Sequence, residues 1–289
     1  MKSAPFEYAR ADSLDEACAL LAEHGDDAKV IAGGQSLVPM LAMRLLAPAW
    51  LIDVARLQDL QRITAQPDHI VVGATVRQCV AEASTALTSA VPLIGQALKW
   101  VGHAATRNRG TMGGSLVHAD PSAELPLVAA LLNATLSLHS VRGTRSVAAQ
   151  DFFIGPMMTL IEPDECLVDV RFPVWTGHTG SAFDEIAARH GDFAIVAAAA
   201  QVTLDAAGVC TRAAFAIGGA GPAPHAFPAL AARLVGSRLD DALLRDVARE
   251  AAAQVEPTND LQATAAYRSH LAAVMAERVL RSARNEASK

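Results

Sequence analysis

Apolar and polar positions alternate with a helical period near the start of the chain and then give way to short apolar runs. Ser13, with Glu16 three residues later, forms a capping box. Apolar residues then fall on one face of a helix that Gly25 is suited to end. Residues 28–32 and 50–53 are short apolar runs typical of buried strands. The opening therefore predicts a β–α–β unit.

A different pattern follows in the middle of the chain. Residues 61–76 alternate between polar and apolar, which predicts two antiparallel strands joined at Pro67–Asp68. Residues 77–102 are rich in helix-forming patterns, whereas residues 134–147 and 164–172 have the alternation of strands. A second unit that mixes helices and strands is expected here.

Turn-forming residues mark one boundary between domains, at Pro173, Gly177 and Gly180. Beyond it the pattern predicts three strands, with a turn at Asp205–Gly208 before the last, and then two amphipathic helices. The strands are expected at residues 182–188, 194–205 and 209–218, and the helices at 239–255 and about 262–283. The order of elements favours an α/β region followed by a smaller α+β domain.

Composition excludes several classes of protein. The 24 cationic and 30 acidic side chains give a net charge of −6, which argues against a general nucleic-acid binder. No apolar run approaches the length of a membrane-spanning helix, and the start of the chain lacks an apolar signal region. We therefore expect a cytoplasmic protein.

The four cysteines also restrict the chemistry of the chain. Cys18, Cys79, Cys166 and Cys210 stand far apart and form no CxxC pair. This spacing argues against a zinc ribbon, against a cysteine-ligated iron–sulfur cluster held by this chain alone and against disulfides. We expect buried, reduced thiols.

One candidate for ligand binding is the segment AGGQS at residues 32–36. It lies between the strand at 28–32 and a short helix predicted at 37–45. Glycines at such a turn let the backbone approach a ligand, and the helix start adds partial positive charge, which suits a phosphate or pyrophosphate. The alternative is a tight turn in which Ser36 merely caps the helix.

The second candidate is TRNRGTMGGSLVHADPSAELP at residues 106–126. It combines two arginines and three glycines with hydroxyl and acidic side chains, and a loop so rich in hydrogen-bonding groups usually holds something. A purely structural loop is the alternative, and Arg107 and Arg109 could bind phosphates or carboxylates across a subunit interface. Two separate phosphate sites in one chain favour a dinucleotide.

The sequence contains no recognisable group of acid–base or nucleophilic catalytic residues beside these loops. GxGxxG, GxxxxGK[ST], GxSxG and HExxH are all absent from the sequence. His103, His118 and His190 have no carboxylate or cysteine at the spacing of a dyad or a metal site, so structural roles are favoured. We therefore predict no catalytic residue and no metal ligand.

The two glycine segments, with HADPSAELP at 118–126, resemble the FAD-binding medium subunit of the molybdenum hydroxylases, the carbon monoxide dehydrogenase/xanthine dehydrogenase family. The resemblance extends past the predicted boundary. It includes FDEIAARHGDFAIVAAAA at 183–200, IGGAGPAP at 217–224 and YRSHLAAVMAERVL at 267–280. It therefore covers essentially the whole chain.

The resemblance implies an α/β FAD-binding fold of two subdomains, like vanillyl-alcohol oxidase (PCMH-like), followed by a smaller α+β domain. The FAD-binding domain is then expected at 1–176, with subdomains at about 1–56 and 57–176. The C-terminal domain is expected at 177–289, with a three-stranded antiparallel sheet and helices.

It also implies a binding site for FAD. Main-chain N–H groups of the two loops would hold the diphosphate, and either Asp120 or Glu124 would bind the polyol or adenosine portion. Leu167 and Phe193 match positions near the isoalloxazine ring. The loop residues are Ala32, Gly33, Gly34, Gln35, Ser36, Leu37, Thr111, Met112, Gly113, Gly114 and Ser115.

The implied function is electron transfer. A large molybdopterin-binding subunit would oxidise the substrate, a small subunit with two 2Fe–2S clusters would pass electrons to FAD on this chain, and an external acceptor would take them. One alternative is a self-contained FAD oxidase or reductase of the related fold, which the presence of only two tyrosines, Tyr8 and Tyr267, disfavours. The other is a scaffold subunit that binds no flavin.

Overall fold

The computed structural model describes residues 2–289 as strands and helices arranged in three main sheets and a small hairpin. In chain order the strands are β1 (Glu7–Arg10), β2 (Ala28–Ile31), β3 (Trp50–Asp53), β4 (Ile63–Ala65), β5 (His69–Gly73), β6 (Thr135–Ser140), β7 (Gly143–Ala148), β8 (Phe153–Gly155), β9 (Met158–Thr159), β10 (Cys166–Pro173), β11 (His178–Ala187), β12 (Ala194–Leu204), β13 (Cys210–Gly218) and β14 (His225–Ala226). The α-helices are α1 (Leu14–His24), α2 (Leu37–Ala42), α3 (Gln78–Ala83), α4 (Thr85–Ala90), α5 (Pro92–Leu98), α6 (Ala104–Arg107), α7 (Met112–His118), α8 (Glu124–Leu132), α9 (Ala149–Phe152), α10 (Pro228–Ala232), α11 (Asp241–Ala252) and α12 (Ala265–Ala287).

The first sheet is parallel, with strand order β1-β3-β2. Helix α1 begins where the Ser13 hydroxyl accepts a hydrogen bond from the Glu16 N–H at 3.1 Å, and it ends at Gly25, whose φ is 51°. The Glu16 carboxylate accepts in return from the N–H of Asp12, at 2.7 Å. The predicted β–α–β opening is confirmed, because its capping signals are local in the sequence.

The second sheet is antiparallel, with order β4-β5-β10-β6-β7. The predicted hairpin at Pro67–Asp68 is present and is closed by a 2.8 Å hydrogen bond from the Gln66 N–H to the His69 carbonyl. Helix α8 is apolar except for Glu124 at its start, and every one of its residues is buried. It contacts α5 and strand β10 of the second sheet, and it also contacts β12 and β13 of the third sheet. Helix α8 therefore lies between the second sheet and the third.

The third sheet has four strands, in the order β11-β12-β13-β14, where three were expected. The additional strand, His225–Ala226, pairs with Ile217 and Ala216. Two residues are too few to show an alternating pattern, so no sequence signal marks this strand. Helix α12 packs on one face of this sheet, and α5 and α8 approach the other. This explains why the alanine-rich β12 is buried on both faces.

The predicted helices differ from the structure mainly at their ends. The helix expected at 37–45 ends at Ala42, because Arg44 has a φ of 59°, which a helix does not allow. The last helix begins later than expected, at Ala265, where the Thr264 hydroxyl accepts from the Tyr267 N–H at 3.2 Å. It also runs further, to Ala287, because its closing residues are good helix formers.

Between residues 2 and 289 no helix is both long and apolar enough to cross a membrane. Over the same residues no group of three or more His, Cys, Asp and Glu side chains is placed to hold a metal ion. All four cysteines are free thiols; Cys18, Cys166 and Cys210 are buried, and Cys79 is half-buried rather than buried as expected.

Candidate functional site

Residues 32–36, the first glycine loop, lie directly against residues 109–115, the second glycine loop. A Cβ atom built on Gly33 would overlap the carbonyl oxygen of Arg109 and would lie 2.9 Å from the Cα of Gly110. Only glycine allows the two backbones to approach so closely. The fold therefore brings together the two segments that the sequence singled out separately.

The first glycine loop presents a row of main-chain donors. It joins the end of β2 to the start of α2, and Gly34 has a φ of 70°. Across residues 2–289, no protein group accepts a hydrogen bond from the N–H groups of residues 33–37. Main-chain N–H groups at a turn and a helix start can bind an anion when no protein group accepts from them.

Ser36 decides between the two interpretations of this loop. It is the N-cap of α2, but its backbone is already helical, with φ −98° and ψ −45°, and its hydroxyl makes no capping hydrogen bond. Gln35 is exposed and its amide donates to the Gly33 carbonyl at 3.3 Å, while the other loop residues and Leu37 are half-buried. Ser36 therefore lacks the capping hydrogen bond that the alternative interpretation of this segment requires.

The second glycine loop uses its donors within the protein. The N–H of Met112 donates to the Val76 carbonyl at 2.9 Å, and that of Gly113 donates to the Ala74 carbonyl at 2.8 Å. The hydroxyl of Thr111 caps α7 by accepting from the Gly114 N–H at 3.1 Å. The expectation that this loop binds through free N–H groups therefore gains no support, although Gly114 is exposed and Ser115 is half-buried.

Gly113 explains why the second loop is rich in glycine. A Cβ at this position would lie 2.6 Å from the Cβ of Ala74, so α7 packs on residue 74 only because residue 113 has no side chain. Ala74 in turn donates its N–H to the Val168 carbonyl at 2.8 Å, which links the loop to β10. The glycine here serves packing between backbone segments.

Arginine side chains hold the second loop in shape. Arg107 forms an ion pair with Glu82 at 2.8 Å and donates to the Val101 carbonyl at 3.0 Å, so it binds a carboxylate of its own chain. Arg77 donates to the carbonyls of Asn108 at 3.0 Å and Arg109 at 3.3 Å. Sequence reasoning missed Arg77, because its partners lie about thirty residues away and carry no shared motif.

The two acidic candidates stand in different environments. Asp120 is half-buried and accepts from the Ser122 N–H at 2.8 Å, which shapes the turn before α8. Glu124, the first residue of α8, is only 8% exposed. Burial raises the pKa of Glu124 to about 7, and the negative charge of Asp120 adds to the effect.

The two residues expected near the flavin ring also differ. Leu167 lies on β10, 6% exposed and part of the main hydrophobic core. Phe193 is 57% exposed and immediately precedes β12. The turn before it packs on the segment that precedes α6, since a Cβ at Gly191 would lie 2.8 Å from the ring of His103. An exposed aromatic side chain is available for contact with a ligand or a partner.

The histidines have structural surroundings. His190 stacks on Trp100 with ring centroids 5.4 Å apart, and His103 lies under the turn at Gly191. Neither pairs with a carboxylate among the ion pairs of residues 2–289. These contacts agree with the structural roles that the sequence favours.

Two family models match the chain and together span most of it. Residues 4–175 match the FAD binding domain in molybdopterin dehydrogenase. Residues 181–283 match the CO dehydrogenase flavoprotein C-terminal domain. The change from one model to the other falls at the turn-rich segment around residue 177.

Similar proteins of known role match over nearly their whole length. The 6-hydroxypseudooxynicotine dehydrogenase complex subunit alpha of Paenarthrobacter nicotinovorans is 38% identical, over 99% of this chain and 97% of that protein. A chain of quinoline 2-oxidoreductase from Pseudomonas putida 86 is 37% identical, with a TM-score of 0.94 over 100% of both chains. A chain of carbon monoxide dehydrogenase from Hydrogenophaga pseudoflava, in a form lacking the Mo-pyranopterin moiety, is 32% identical, with a TM-score of 0.96 over 99% of both chains.

These matches agree with the geometry of the first glycine loop, whose main-chain donors suit the diphosphate of a flavin dinucleotide. The resemblance noted in the sequence is confirmed, and so is FAD as the cofactor. The chain belongs to the FAD-binding medium subunits of the molybdenum hydroxylases, a family of oxidoreductases that includes carbon monoxide dehydrogenase.

Proposed function

We propose that this chain is the electron-transfer subunit of a heteromeric molybdenum hydroxylase. In this proposal, the chain receives electrons from 2Fe–2S clusters on a small partner subunit and delivers them to an external acceptor. A large molybdopterin-binding subunit oxidises the substrate. The observation that carries the proposal is the first glycine loop, where five consecutive N–H groups have no acceptor among the described residues 2–289.

The site residues divide by the type of contact they offer. We propose that main-chain N–H groups of Gly33, Gly34, Gln35, Ser36 and Leu37 bind the diphosphate. In this proposal, the second glycine loop contacts the cofactor through the exposed backbone of Gly114 and through the hydroxyl of Ser115. Asp120 or Glu124 binds hydroxyl groups of the cofactor, and Leu167 and Phe193 contact its ring system.

Bound FAD supplies the redox chemistry, and the protein contributes binding, orientation and electrostatics. The proposal therefore asks no side chain of this chain to transfer a proton to or from the substrate. The names of the similar proteins support the division of labour: one is a subunit of a dehydrogenase complex and another is the medium chain of carbon monoxide dehydrogenase. We further propose the domain boundaries given above, at about residues 56 and 176.

A direct test compares the isolated chain with the assembled complex. The purified chain should release FAD, not FMN, on acid treatment, and should not oxidise aldehydes, N-heterocycles or carbon monoxide with an artificial acceptor. Adding the molybdopterin and iron–sulfur subunits should restore reduction of its flavin by substrate. Substrate turnover by the isolated chain would instead establish a self-contained oxidase, and a chain that binds no flavin would establish a scaffold.

A further inference from the structure

A buried arginine joins the ends of two neighbouring strands of the third sheet. Arg268, on α12, is only 5% exposed. One of its terminal nitrogens donates to the carbonyl of Ile195 at 2.6 Å and to the carbonyl of Gly219 at 2.7 Å. Ile195 is the second residue of β12, and Gly219 directly follows β13. A single side chain therefore holds the start of one strand and the end of the next.

The backbone at this junction is closely packed. Gly219 has a φ of 73°, and a Cβ at this position would lie 2.9 Å from the carbonyl oxygen of Ile195 and 3.2 Å from that of Ala194. Only glycine allows such an approach in this conformation. Buried carbonyl oxygens need hydrogen-bond donors, and the guanidinium of Arg268 supplies them to both strand ends.

Asp260, in the loop between α11 and α12, fixes the orientation of the guanidinium. One carboxylate oxygen of Asp260 accepts from Arg268 at 2.5 Å, and the other accepts from the N–H groups of Gln262 and Ala263, both at 2.9 Å. The hydrogen bond from Arg268 lowers the pKa of Asp260 to about 2, so this carboxylate is ionised at neutral pH. Arg268 therefore keeps its counter-charge and is held in one geometry.

The strand ends that Arg268 holds are also bound to the FAD-binding domain. The N–H of Gly219 donates to the carbonyl of Pro121 at 2.8 Å. Pro121 follows Asp120, one of the two acidic candidates for contact with the cofactor. Gly219 is thus bound to the C-terminal domain through its carbonyl and to the FAD-binding domain through its N–H. Because Arg268 joins Ile195 to Gly219, it fixes the start of β12 relative to the cofactor region.

Phe193 lies in the segment that this junction anchors. It is two residues before Ile195, so the two Cα atoms are at most about 7 Å apart. On the other side of Phe193, a Cβ at Gly191 would lie 2.8 Å from the ring of His103. The backbone is therefore held both before and after Phe193, whose own side chain is 57% exposed.

We propose that Arg268 is a positioning residue for the flavin: by holding Ile195 against Gly219, it places the exposed ring of Phe193 beside the isoalloxazine. This inference rests on the proposed function, in which Phe193 contacts the ring system of FAD. Arg268 acts through the backbone of residues 193–195 and not by contact with the cofactor. Since binding contacts are sensitive to shifts of about 1 Å, release of this anchor weakens the contact of Phe193 with the flavin.

Arg284 offers a matched control on the same helix. It also binds a main-chain carbonyl, that of Leu239 at 2.7 Å, and an aspartate, Asp241 at 2.8 Å. It lies about 24 Å from Arg268 along the axis of α12. Arg284→Met therefore removes the same kinds of contact without releasing the start of β12.

A double-mutant cycle on the full-length chain tests the proposal, read by fluorescence titration with FAD and by visible circular dichroism of the bound flavin. Arg268→Met and Phe193→Ala should each weaken FAD binding by about tenfold and change the dichroism, because each removes an aromatic contact with the ring. The double variant should bind FAD no more weakly than Phe193→Ala alone. Arg268→Lys should fall between wild type and Arg268→Met, since an ammonium keeps the charge but lacks the planar fork of donors. Arg284→Met should bind FAD as wild type does.

The outcomes separate this inference from the proposed function. A wild-type chain that binds no FAD, or a Phe193→Ala variant that binds FAD as tightly as wild type, would refute the flavin contact and with it the role of Arg268. If Phe193→Ala weakens binding but Arg268→Met does not, or if the two effects add in full, only the positioning role is overturned. Equal losses in Arg268→Met and Arg284→Met would also overturn it. If Arg268→Met does not fold, Arg268→Lys compared with Arg284→Lys decides the question by the same criteria.

Discussion

The two glycine loops have similar composition but opposite use of their backbones. In the first loop the N–H groups of residues 33–37 meet no acceptor in the part of the chain that the structure describes, whereas in the second loop those of residues 112–115 all donate to protein groups. Gly34 has the positive φ of a turn, and Gly113 instead makes room for Ala74. A glycine-rich segment can therefore serve either to bind a ligand or to let two backbone segments pack closely. The two cases differ in whether its N–H groups donate to protein acceptors.

The comparison also changes what is expected of glycine substitutions. From the sequence, an aspartate at position 33 or 114 would simply repel phosphate while the fold is retained. At position 33 a side chain would also collide with the backbone of the second loop, whereas at position 114 it would meet the Thr111 hydroxyl at 2.7 Å. The change at position 33 should therefore affect folding as well as binding.

The largest expected effect comes from Gly33→Ala. The added methyl group must push the loops apart, because it would overlap the carbonyl oxygen of Arg109. We expect a loss of about 1–3 kcal/mol in the free energy of unfolding and at least a hundredfold loss in FAD affinity. Urea unfolding of the FAD-free chain and fluorescence titration with FAD measure the two effects.

Gly221→Ala is the matched control for that substitution. The nearest atom to its new methyl group is the Ala223 carbonyl oxygen at 3.9 Å, so neither stability nor FAD binding should change measurably. If Gly33→Ala bound FAD as tightly as Gly221→Ala, the contact between the loops would have no part in the cofactor site.

Removing a hydroxyl side chain should have a smaller effect on the free energy of unfolding, and the effect should differ between the two loops. Thr111→Val removes the cap of α7 and should lower the free energy of unfolding by about 1 kcal/mol. Ser36→Ala removes no capping bond and keeps the main-chain N–H, so stability should stay within about 0.5 kcal/mol and FAD affinity should be retained. The same unfolding and titration experiments separate the two variants. A stability loss in Ser36→Ala equal to that of Thr111→Val would mean that the loops are alike after all.

Local signals in the sequence predicted much of the fold. Ser13, Glu16 and Gly25 define the ends of α1, because each makes its capping hydrogen bond with a residue only three or four positions away. The alternation at residues 164–172 likewise identified β10, because its side chains divide between a core and an outer face. Both glycine loops were found for the same reason: their composition is unusual within a short window.

What the sequence could not predict depends on contacts between distant residues. The two-residue strand His225–Ala226 exists because β13 offers it an edge. The role of Arg77 depends on carbonyl groups of the second loop, about thirty residues away. Glu124 and Glu185 are buried by elements that are distant in the sequence, and no local pattern marks either glutamate as buried.

The central claim is that main-chain donors of the first glycine loop bind FAD. Hydrogen–deuterium exchange of the chain without and with FAD, read at single amides, tests it most directly. We predict that the amides of residues 33–37 exchange fast without FAD and become protected with it, whereas those of residues 112–115 are protected in both states. New protection confined to residues 112–115, with no change at residues 33–37, would contradict the account.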